Sequence, residues 1–416
     1  MTFSLNLSKV KANVKYHRKE GRKSLFLFSF EKGWNIMAKK YKEDGVDVKA
    51  GDAFSSYAGK LCQSTFKNSP FVTVRDFSRG HFRGPRAFRL RNLPRNCYID
   101  IAPDGDGTKV EVISAAGDFP NAARGWVAMT RGDITRWGGK GIILVNNLDT
   151  ENLGEVGDPR FEAHKSMMDG LKRIADEEHL IMFKGETAEL PGIITSRNKQ
   201  ALVTYSWCGV CLGVYNPRTI ITGDGVKKDM LVMALRELGL RNNGFSSLRK
   251  GMAIHYGQDW HNNPDAQDDI RAAATPAVLY DSFLERANGW RSPDFLPEIP
   301  MYLIVHVTGG AIKSKFAEDI LFPRGLSAEL DNLWDLPPIM RKCAEWRGLS
   351  DRELYEIWNG GQGALVVIEE KDAEAFISLG RTFGIDVKKC GRITREKKPQ
   401  VIIHSMLNGE KIPFVA

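Results

Sequence analysis

Six consecutive residues, from Asp104 to Lys109, combine the groups that phosphate and magnesium chemistry needs: Asp-Gly-Asp-Gly-Thr-Lys. Glycines let backbone N–H groups approach phosphate oxygens, Lys109 supplies positive charge, and Asp104 can hold a hard cation through oxygen. The string is not an EF-hand, since position 12 counted from Asp104 is Ala115, and it lacks the Gly-Lys-Ser/Thr of a P-loop. A phosphate-binding loop and a simple acidic turn between strands both fit these residues.

Further carboxylates follow along the chain. Glu186 and Glu189 lie in Gly-Glu-Thr-Ala-Glu, close enough to serve one cation, or they are loop acids facing water. Asp133 follows an apolar segment and is either a third metal ligand or a charge at a helix end. These residues predict a magnesium site only if the fold brings them together.

Two later segments suit close contact with a ligand. His306 alternates with apolar residues and precedes Thr308-Gly-Gly310, so it is either a core histidine or a residue at the edge of a phosphate site. Asn359 begins Asn-Gly-Gly-Gln-Gly363, which leaves room for a ligand against the backbone or forms a turn before the next strand.

The elements that position these residues are mixed α and β. Alternation and apolar runs predict strands at 97–101, 142–145, 180–183, 203–214 and 302–307. Apolar residues at helical spacing predict a helix around 167–175. The tail from Leu365 predicts a strand, a helix over 373–382 and two strands. Polar, glycine-bearing loops follow several strands, which is where α/β proteins place their chemistry.

Six cysteines in a chain of this length do not indicate a disulfide framework. Cys208 and Cys211 have the spacing of a redox or metal pair, but residues three apart on a strand point to opposite faces. We therefore interpret them as core cysteines. The stretch 258–269, near His255 and including His261, fits a polar surface insertion better than a metal site.

The net charge of +8 is concentrated at the start of the chain, because residues 1–36 carry +6 and the other 380 carry +2. This pattern predicts a basic N-terminal extension over 1–36, with Met37 as a possible internal start. It argues against a nucleic-acid-binding surface on the folded part. The longest early apolar run, 25–30, is too short to span a membrane. We expect a cytoplasmic protein with domains at 37–216 and 217–416, and with no nucleic-acid or membrane partner.

Taken in order, the motifs resemble the phosphoribosylformylglycinamidine cyclo-ligase (AIR synthetase) family over about residues 40–395. The matching segments are Tyr-Lys-Glu-Asp-Gly-Val-Asp at 41–47, Ala-Gly-Asp-Ala at 50–53, the string 104–109, Val-Ala-Met at 127–129 with Asp133, Gly-Glu-Thr-Ala-Glu-Leu-Pro-Gly at 185–192, Asn243-Gly244 with Arg249, His-Val-Thr-Gly-Gly at 306–310, Glu-Leu-Tyr at 353–355 and Asn359-x-Gly-x-Gly363.

The resemblance implies an α+β, two-domain subunit and a homodimer. In that dimer, mixed sheets of both N-terminal domains form a shared barrel, and the C-terminal domain is α/β. It also implies ATP and Mg²⁺. The family closes the imidazole ring of formylglycinamidine ribonucleotide in purine biosynthesis: ATP phosphorylates the formyl amide oxygen, then the amidine nitrogen attacks and expels phosphate.

The resemblance also implies roles for individual residues. Asp104, Asp133 and Glu186 would hold Mg²⁺, and Asp104, Lys109, Asn243 and His306 would act in catalysis. The residues implied in nucleotide and phosphate binding are Gly107, Thr108, Lys109, Glu186, Thr187, Thr308, Gly309, Gly310 and Asn359.

The chain departs from the family at sensitive positions. Gly125 and Asn146 stand where the family tends to have Asp, Arg241 replaces a histidine, and Ala311 replaces the third glycine of Thr-Gly-Gly-Gly. The loop at 80–86 is bulkier and more basic than the family's glycine-rich loop.

Three hypotheses follow. In the first, the chain is the cyclo-ligase. In the second, it is another ATP-dependent phosphoryl-transfer enzyme on the same scaffold, like thiamine-monophosphate kinase or selenophosphate synthetase, with Arg241, Arg83 and Arg86 at an altered substrate site. In the third, it is a nucleotide-binding dimer without turnover.

Overall fold

The computed structural model describes residues 47–77 and 85–416. The predicted basic extension, Met37, the 41–46 part of the first motif and Arg83 lie outside the described residues. Within them, the helices are α1 Val48–Ser64, α2 Lys109–Ala116, α3 Arg124–Thr135, α4 Pro159–Glu177, α5 Phe245–Tyr256, α6 Gln267–Ala273, α7 Asp281–Ala287, α8 Pro338–Arg347, α9 Asp351–Ile357 and α10 Ala373–Thr382, with a π-helical segment at Lys313–Leu321.

The strands form a two-stranded ribbon and two larger sheets. They are β1 Val72–Asp76, β2 Arg86–Leu90, β3 Tyr98–Gly105, β4 Lys140–Thr150, β5 Ile181–Glu189, β6 Tyr205–Tyr215, β7 Leu231–Arg236, β8 Leu303–His306, β9 Ser327–Leu330, β10 Gln362–Ile368, β11 Val387–Thr394, β12 Gln400–His404 and β13 Lys411–Val415. The four-stranded sheet has the order β3-β6-β4-β5, and the seven-stranded sheet has the order β13-β12-β9-β11-β7-β10-β8.

Both larger sheets are mixed, because β4 and β5 run parallel in one and β12 and β9 run parallel in the other, while the remaining pairs are antiparallel. The expected α+β fold with mixed sheets is confirmed, and the four-stranded sheet is curled as a half-barrel. Along the chain, the last strand of the four-stranded sheet ends at Tyr215 and the first strand of the seven-stranded sheet begins at Leu231. The domain boundary expected at 216/217 lies between these two strands and stays a prediction.

Strand β6 places its side chains alternately inside and outside the sheet. Tyr205, Trp207 and Cys211 are buried, whereas Ser206 and Cys208 are exposed. The two cysteines therefore face opposite sides, as their spacing on a strand predicts. A metal site shared by these two thiols is excluded by the same geometry.

Most predicted elements are present, but one predicted loop is not. In the tail, α10 lies over 373–382 as expected, but three strands follow it rather than the expected two, because Lys411–Val415 pairs antiparallel with β12. The segment from Gly185 to Glu189 was expected to be a loop and instead continues β5, because its parallel partner β4 extends to Thr150 and pairs Asn147 with Glu186. The strand continues because its parallel partner supplies hydrogen bonds to the backbone N–H and C=O groups, although the glycine at 185 suggested that a loop begins there.

Helix α3 is the central element of the fold. Ten of its twelve residues are buried, so it has no solvent face, and it packs on β3, β6 and α7. Arg131 on α3 has a fully buried side chain and contacts Glu285 of α7 at 2.7 Å, and it also pairs with Glu178 beyond α4. A buried ion network of this kind joins the two halves of the chain, because either partner alone would be an uncompensated buried charge.

Among the described residues, no helix is long and apolar enough to cross a membrane.

Candidate active site

The string 104–109 lies where β3 turns into α2. β3 ends at Gly105 and α2 begins at Lys109, so only three residues form the turn, with Gly107 at a φ of +53°. The turn lines a cavity of about 540 Å³, here called the central cavity, whose other walls are Met129 and residues 242–247 at the start of α5. The fold thus brings Asp104, Gly107 and Thr108 to the same cavity as Asn243.

Two further cavities share wall residues with the central one. Asp104 also lines a cavity of about 530 Å³ whose opposite wall includes Glu186. Thr108 also lines a cavity of about 650 Å³ together with Arg197 and Arg249. Glu186, Asp104 and Thr108 therefore line three cavities that share wall residues, and the arginines in the wall of the third suit an anionic ligand there.

The segment at 185–187 also lines a further cavity. Glu186 and Thr187 line a cavity of about 430 Å³ together with Arg86 and Asn146. Arg86 is itself paired with Asp76 at 3.0 Å across the β1–β2 ribbon.

The three predicted magnesium ligands do not form one cluster. Within 47–77 and 85–416, no three His, Cys, Asp or Glu side chains are placed to hold a metal ion. Asp133 is instead paired with Arg136 at 3.3 Å, one helical turn along α3. Partial burial, and then the charge of Asp133, raises the pKa of Asp104. These residues fit a magnesium ion that takes one carboxylate from the protein and its other ligands from phosphates and water, but not a three-carboxylate cage.

Lys109 does not face the central cavity. Its side chain is 1% exposed, and Nζ donates to the backbone carbonyl of Arg241 at 2.6 Å. Burial lowers the pKa of Lys109, and the charge of Asp106 opposes that shift. Direct contact with a phosphate, expected from the sequence, is therefore contradicted by its position; Lys109 joins the loop at 104–109 to the residues before α5.

His306 is a packing residue rather than an exposed phosphate contact. It is 2% exposed, and an ideal Cβ on Gly132 would lie 1.3 Å from its Cε1, so the ring occupies the space beside this glycine of α3. Burial, followed by the charges of Arg241 and Arg136, holds the pKa of His306 well below its usual value. Its position therefore matches the core histidine of the two alternatives, and the phosphate contact that the resemblance implied is not seen in this structure.

The loop after β8 lies partly at the central cavity. An ideal Cβ on Gly309 would be 3.6 Å from Asn243 Oδ1, so Gly309 is a neighbour of this predicted substrate residue. Gly309 and Gly310 are exposed and Thr308 is half-buried. The loop is therefore available to a ligand at the cavity that Asn243 lines.

The side chain of Asn359, in contrast, forms hydrogen bonds within the protein. It is 4% exposed, its Nδ2 donates to the carbonyl of Gly239 at 3.0 Å, and its Oδ1 accepts from the Gly361 amide at 2.8 Å. The expected ligand contact is not supported, because both ends of the amide already hold the backbone of two loops.

Arg241 is also buried, contrary to a role in an altered substrate site. Its side chain is 0% exposed, NH1 contacts Glu237 at 3.0 Å, and its guanidinium lies 4.8 Å over the ring of Tyr280. Its backbone has a φ of +60°. The arginine therefore stabilises the turn that presents residues 242–244 to the cavity.

The stretch 258–269 is only partly the surface segment that was expected, because exposed residues alternate with buried ones. Trp260 and His261 are buried, and His261 Nε2 lies 2.6 Å from Glu111 Oε1 on α2. Its residues therefore pack against α2 rather than binding a metal, and within the described residues they belong to no metal-ligating group.

Sequence reasoning missed Asp106 and Asn242 as site residues. Asp106 was noted only as part of the string, and a spacing of two along a strand would have placed it on the same face as Asp104. Instead β3 ends at Gly105 and the next residue turns inward, so Asp104 is exposed while Asp106 is 2% exposed. The glycine after Asp106 was the available signal for this turn.

No family model matches the chain. Two curated relatives are the phosphoribosylformylglycinamidine cyclo-ligases of Burkholderia ambifaria (strain MC40-6) and Burkholderia vietnamiensis (strain G4). Each is 26% identical over 371 residues, covering 87% of this chain and 96% of the relative.

Among solved structures, thiamine-monophosphate kinase from Stenotrophomonas maltophilia K279a has a TM-score of 0.54 at 14% identity, covering 84% of this chain and 95% of that one. Hydrogenase maturation protein HypE in complex with ATP has a TM-score of 0.51 at 13% identity, covering 79% and 87%. These structural similarities establish a shared fold.

Proposed function

We propose, because the chain is a distant homologue of the phosphoribosylformylglycinamidine cyclo-ligases, that it catalyses the ATP-dependent closure of formylglycinamidine ribonucleotide to aminoimidazole ribonucleotide. In this reaction ATP phosphorylates the formyl amide oxygen, and the amidine nitrogen then attacks that carbon and expels phosphate. The observation that carries the proposal is the meeting of the 104–109 turn with Asn243 across the central cavity, within a similarity that spans both sheets.

The residues of the cavity suit the positioning of phosphates. The backbone N–H groups and hydroxyl around Gly107 and Thr108 would receive phosphate oxygens, and the exposed loop at Gly309 would approach from the other side. Mg²⁺, held by Asp104 together with phosphate oxygens, would neutralise charge on the transferred group. Asn243 would orient the second substrate, since holding two reacting ends in place is a large part of the acceleration such a ring closure needs.

A homodimer is part of the same proposal. Strand β3 is an edge of the four-stranded sheet and exposes Tyr98 at 62%, Ile99 at 58% and Ile101 at 59%. An edge strand with exposed large apolar side chains favours pairing with a second copy, which would close the half-barrel.

The test of the active site compares Asp104→Asn with Asp268→Asn, a control whose side chain is 93% exposed in its ion pair with Arg271. We expect Asp104→Asn to lower turnover about 100-fold or more, because losing a single preorganised electrostatic group from an active site, such as one oxyanion-hole donor, costs about 10²–10³ in rate. The control should retain the wild-type rate.

Size-exclusion chromatography and thermal unfolding would show whether each variant keeps its assembly and fold. An Asp104→Asn protein with wild-type turnover would remove this residue from the mechanism. Turnover of ATP by the wild type without aminoimidazole formation would instead favour a different phosphoryl acceptor on the same scaffold.

A further inference from the structure

The cavity of about 650 Å³ beside the central one, here called the basic cavity, carries an excess of positive charge. Gly107 and Thr108 form a wall that the two cavities share. The charged side chains of its lining are one acidic and three basic residues, Glu111, Arg197, Lys199 and Arg249. Their formal charge is +2, so the cavity favours an anion.

The single carboxylate of this wall is already paired. Oε2 of Glu111 contacts Arg249 Nε, and Oε1 lies 2.6 Å from Nε2 of His261. Burial raises the pKa of Glu111, but the hydrogen bond with His261 and the charges of Arg249 and Arg197 lower it overall. The ionised carboxylate therefore holds Arg249 at the cavity and leaves the two other basic residues uncompensated.

The basic side chains keep donors that nothing in the described part of the chain occupies. Arg249 meets Glu111 only through Nε, while its two terminal nitrogens have no hydrogen-bond partner there and retain accessible surface. Arg197 and Lys199 are exposed, and neither forms an ion pair or a hydrogen bond within residues 47–77 and 85–416. A ligand in the basic cavity can therefore reach all three cations.

Hydroxyl groups add further donors to the same wall. Those of Thr108, Thr195 and Thr204 have no hydrogen-bond partner among the described residues, and none of them is a buried atom. Thr108 also stands at the N-terminus of α2, where the first-turn amides place partial positive charge. The cavity thus presents neutral donors between its cations.

The loop that carries two of the cations is held in place by the protein itself. Asn198 is 8% exposed, and its Oδ1 accepts hydrogen bonds from the Gln200 amide at 3.0 Å and from Asn262 Nδ2 at 3.3 Å. Asn198 lies between Arg197 and Lys199 in the sequence. Both basic residues therefore project from a fixed turn, which lowers the entropic cost of binding a ligand.

We propose that the basic cavity binds the 5′-phosphate of the ribonucleotide substrate, with Arg197 and Arg249 as its main contacts. This inference rests on the proposed function, whose substrate is a ribonucleotide. A phosphate monoester carries a charge of about −1.5 to −2 at pH 7 and three acceptor oxygens, which match the charge and the donors of this wall. Because the two cavities share Gly107 and Thr108, a substrate whose reacting end lies at Asn243 extends past that wall into the basic cavity.

The phosphates of ATP suit the basic cavity less well. They bind together with Mg²⁺, which requires oxygen ligands from the protein or water. Glu111, the one carboxylate in the described wall of the basic cavity, is engaged by Arg249 and His261. Asp104, in contrast, is exposed at the central cavity. The metal and the phosphates of ATP therefore belong with Asp104, and the phosphate of the second substrate belongs with the arginines.

The experiment compares formylglycinamidine ribonucleotide with its ribonucleoside, which lacks only the 5′-phosphate, by calorimetry. The wild type should bind the ribonucleotide about 100-fold more tightly or better, because the phosphate adds several charge-assisted hydrogen bonds. Arg197→Ala should reduce this preference about tenfold, equivalent to about 1.4 kcal/mol, by weakening only the ribonucleotide.

Two further variants sharpen the comparison. Arg249→Lys keeps the charge but loses the forked N–H groups, so it should also reduce the preference. Arg381→Ala is the matched control, since Arg381 is exposed on α10 and lines none of the four cavities, and it should keep the preference. ATP should bind equally well to all of these proteins.

An Arg197→Ala variant that keeps the full preference, or that weakens both ligands equally, overturns the phosphate site and leaves the proposed function standing. Weaker ATP binding with the preference intact overturns it as well. A wild type that binds neither ligand overturns the proposed function, and ribose 5-phosphate then tests the cavity alone. It should bind more tightly than ribose and lose that advantage in Arg197→Ala; equal binding of the two sugars would overturn the phosphate site too.

Discussion

Replacing Asp106 by asparagine should change the pH dependence of stability in a predictable direction. The pKa of Asp106 is raised from 3.8 to about 7, mainly by burial. Because the folded chain holds this proton more tightly than the unfolded chain, stability is lost as pH rises from about 4 to about 7. Between pH 5 and pH 8 Asp106 is largely ionised in the unfolded chain, whereas in the folded chain it keeps its proton over about two of these pH units. The free energy of unfolding therefore falls by roughly 2–3 kcal/mol over this range, at about 1.36 kcal/mol per pH unit.

The asparagine variant cannot ionise, so this loss should disappear. We expect the free energy of unfolding of Asp106→Asn, relative to the wild type, to be higher at pH 8 than at pH 5 by about 2–3 kcal/mol. The pH-independent part of the change cancels in that comparison.

Urea unfolding at both pH values, followed through the nine tryptophans, would measure the difference. Asp268→Asn serves as the control for removing one carboxylate. A difference near zero between the two pH values, or a larger stabilisation at pH 5, would refute the assignment of a buried, proton-retaining carboxyl at position 106.

Two further predictions concern the packing around α3. Arg131→Met should destabilise the protein by about 3–5 kcal/mol at neutral pH, because the buried Glu178 would lose its arginine and Glu285 would keep only Lys140. Burial raises the pKa of Glu178, but the charge of Arg131 outweighs it and lowers that pKa overall, so denaturant titration should show the loss shrinking from neutral to low pH. Gly132→Ala should lower the thermal midpoint, since its Cβ would overlap the His306 ring, and adding His306→Ala should recover much of the loss; a Gly132→Ala protein as stable as the wild type would contradict the contact.

The order of elements could be predicted because it depends on local patterns. The helix at 373–382 and the strands around 181 and 205 follow from apolar periodicity that the packed structure then buries. The opposite faces of Cys208 and Cys211 follow from strand geometry alone, but the interpretation of both as core cysteines was wrong for Cys208, which is exposed.

The site was only partly predictable because its roles depend on contacts between distant segments. Lys109, His306 and Asn359 belong to motifs that suggest ligand contact, yet each is buried against another part of the chain. Nothing local to Lys109 indicates that the carbonyl of Arg241, far along the chain, accepts its hydrogen bond. Similarly, the loss of an acid at Gly125 can be read from sequence, but the carboxylate of Asp106 that enters beside it cannot.

The most direct test of the central claim is the stoichiometry of the wild-type reaction. Purified protein with ATP and Mg²⁺ should release little ADP alone, and should release one ADP for each aminoimidazole ribonucleotide formed when formylglycinamidine ribonucleotide is added. Equal yields of the two products are the predicted result. Substrate-independent ADP, or no ADP from a protein that still binds ATP, would contradict the assignment of ring closure to this chain.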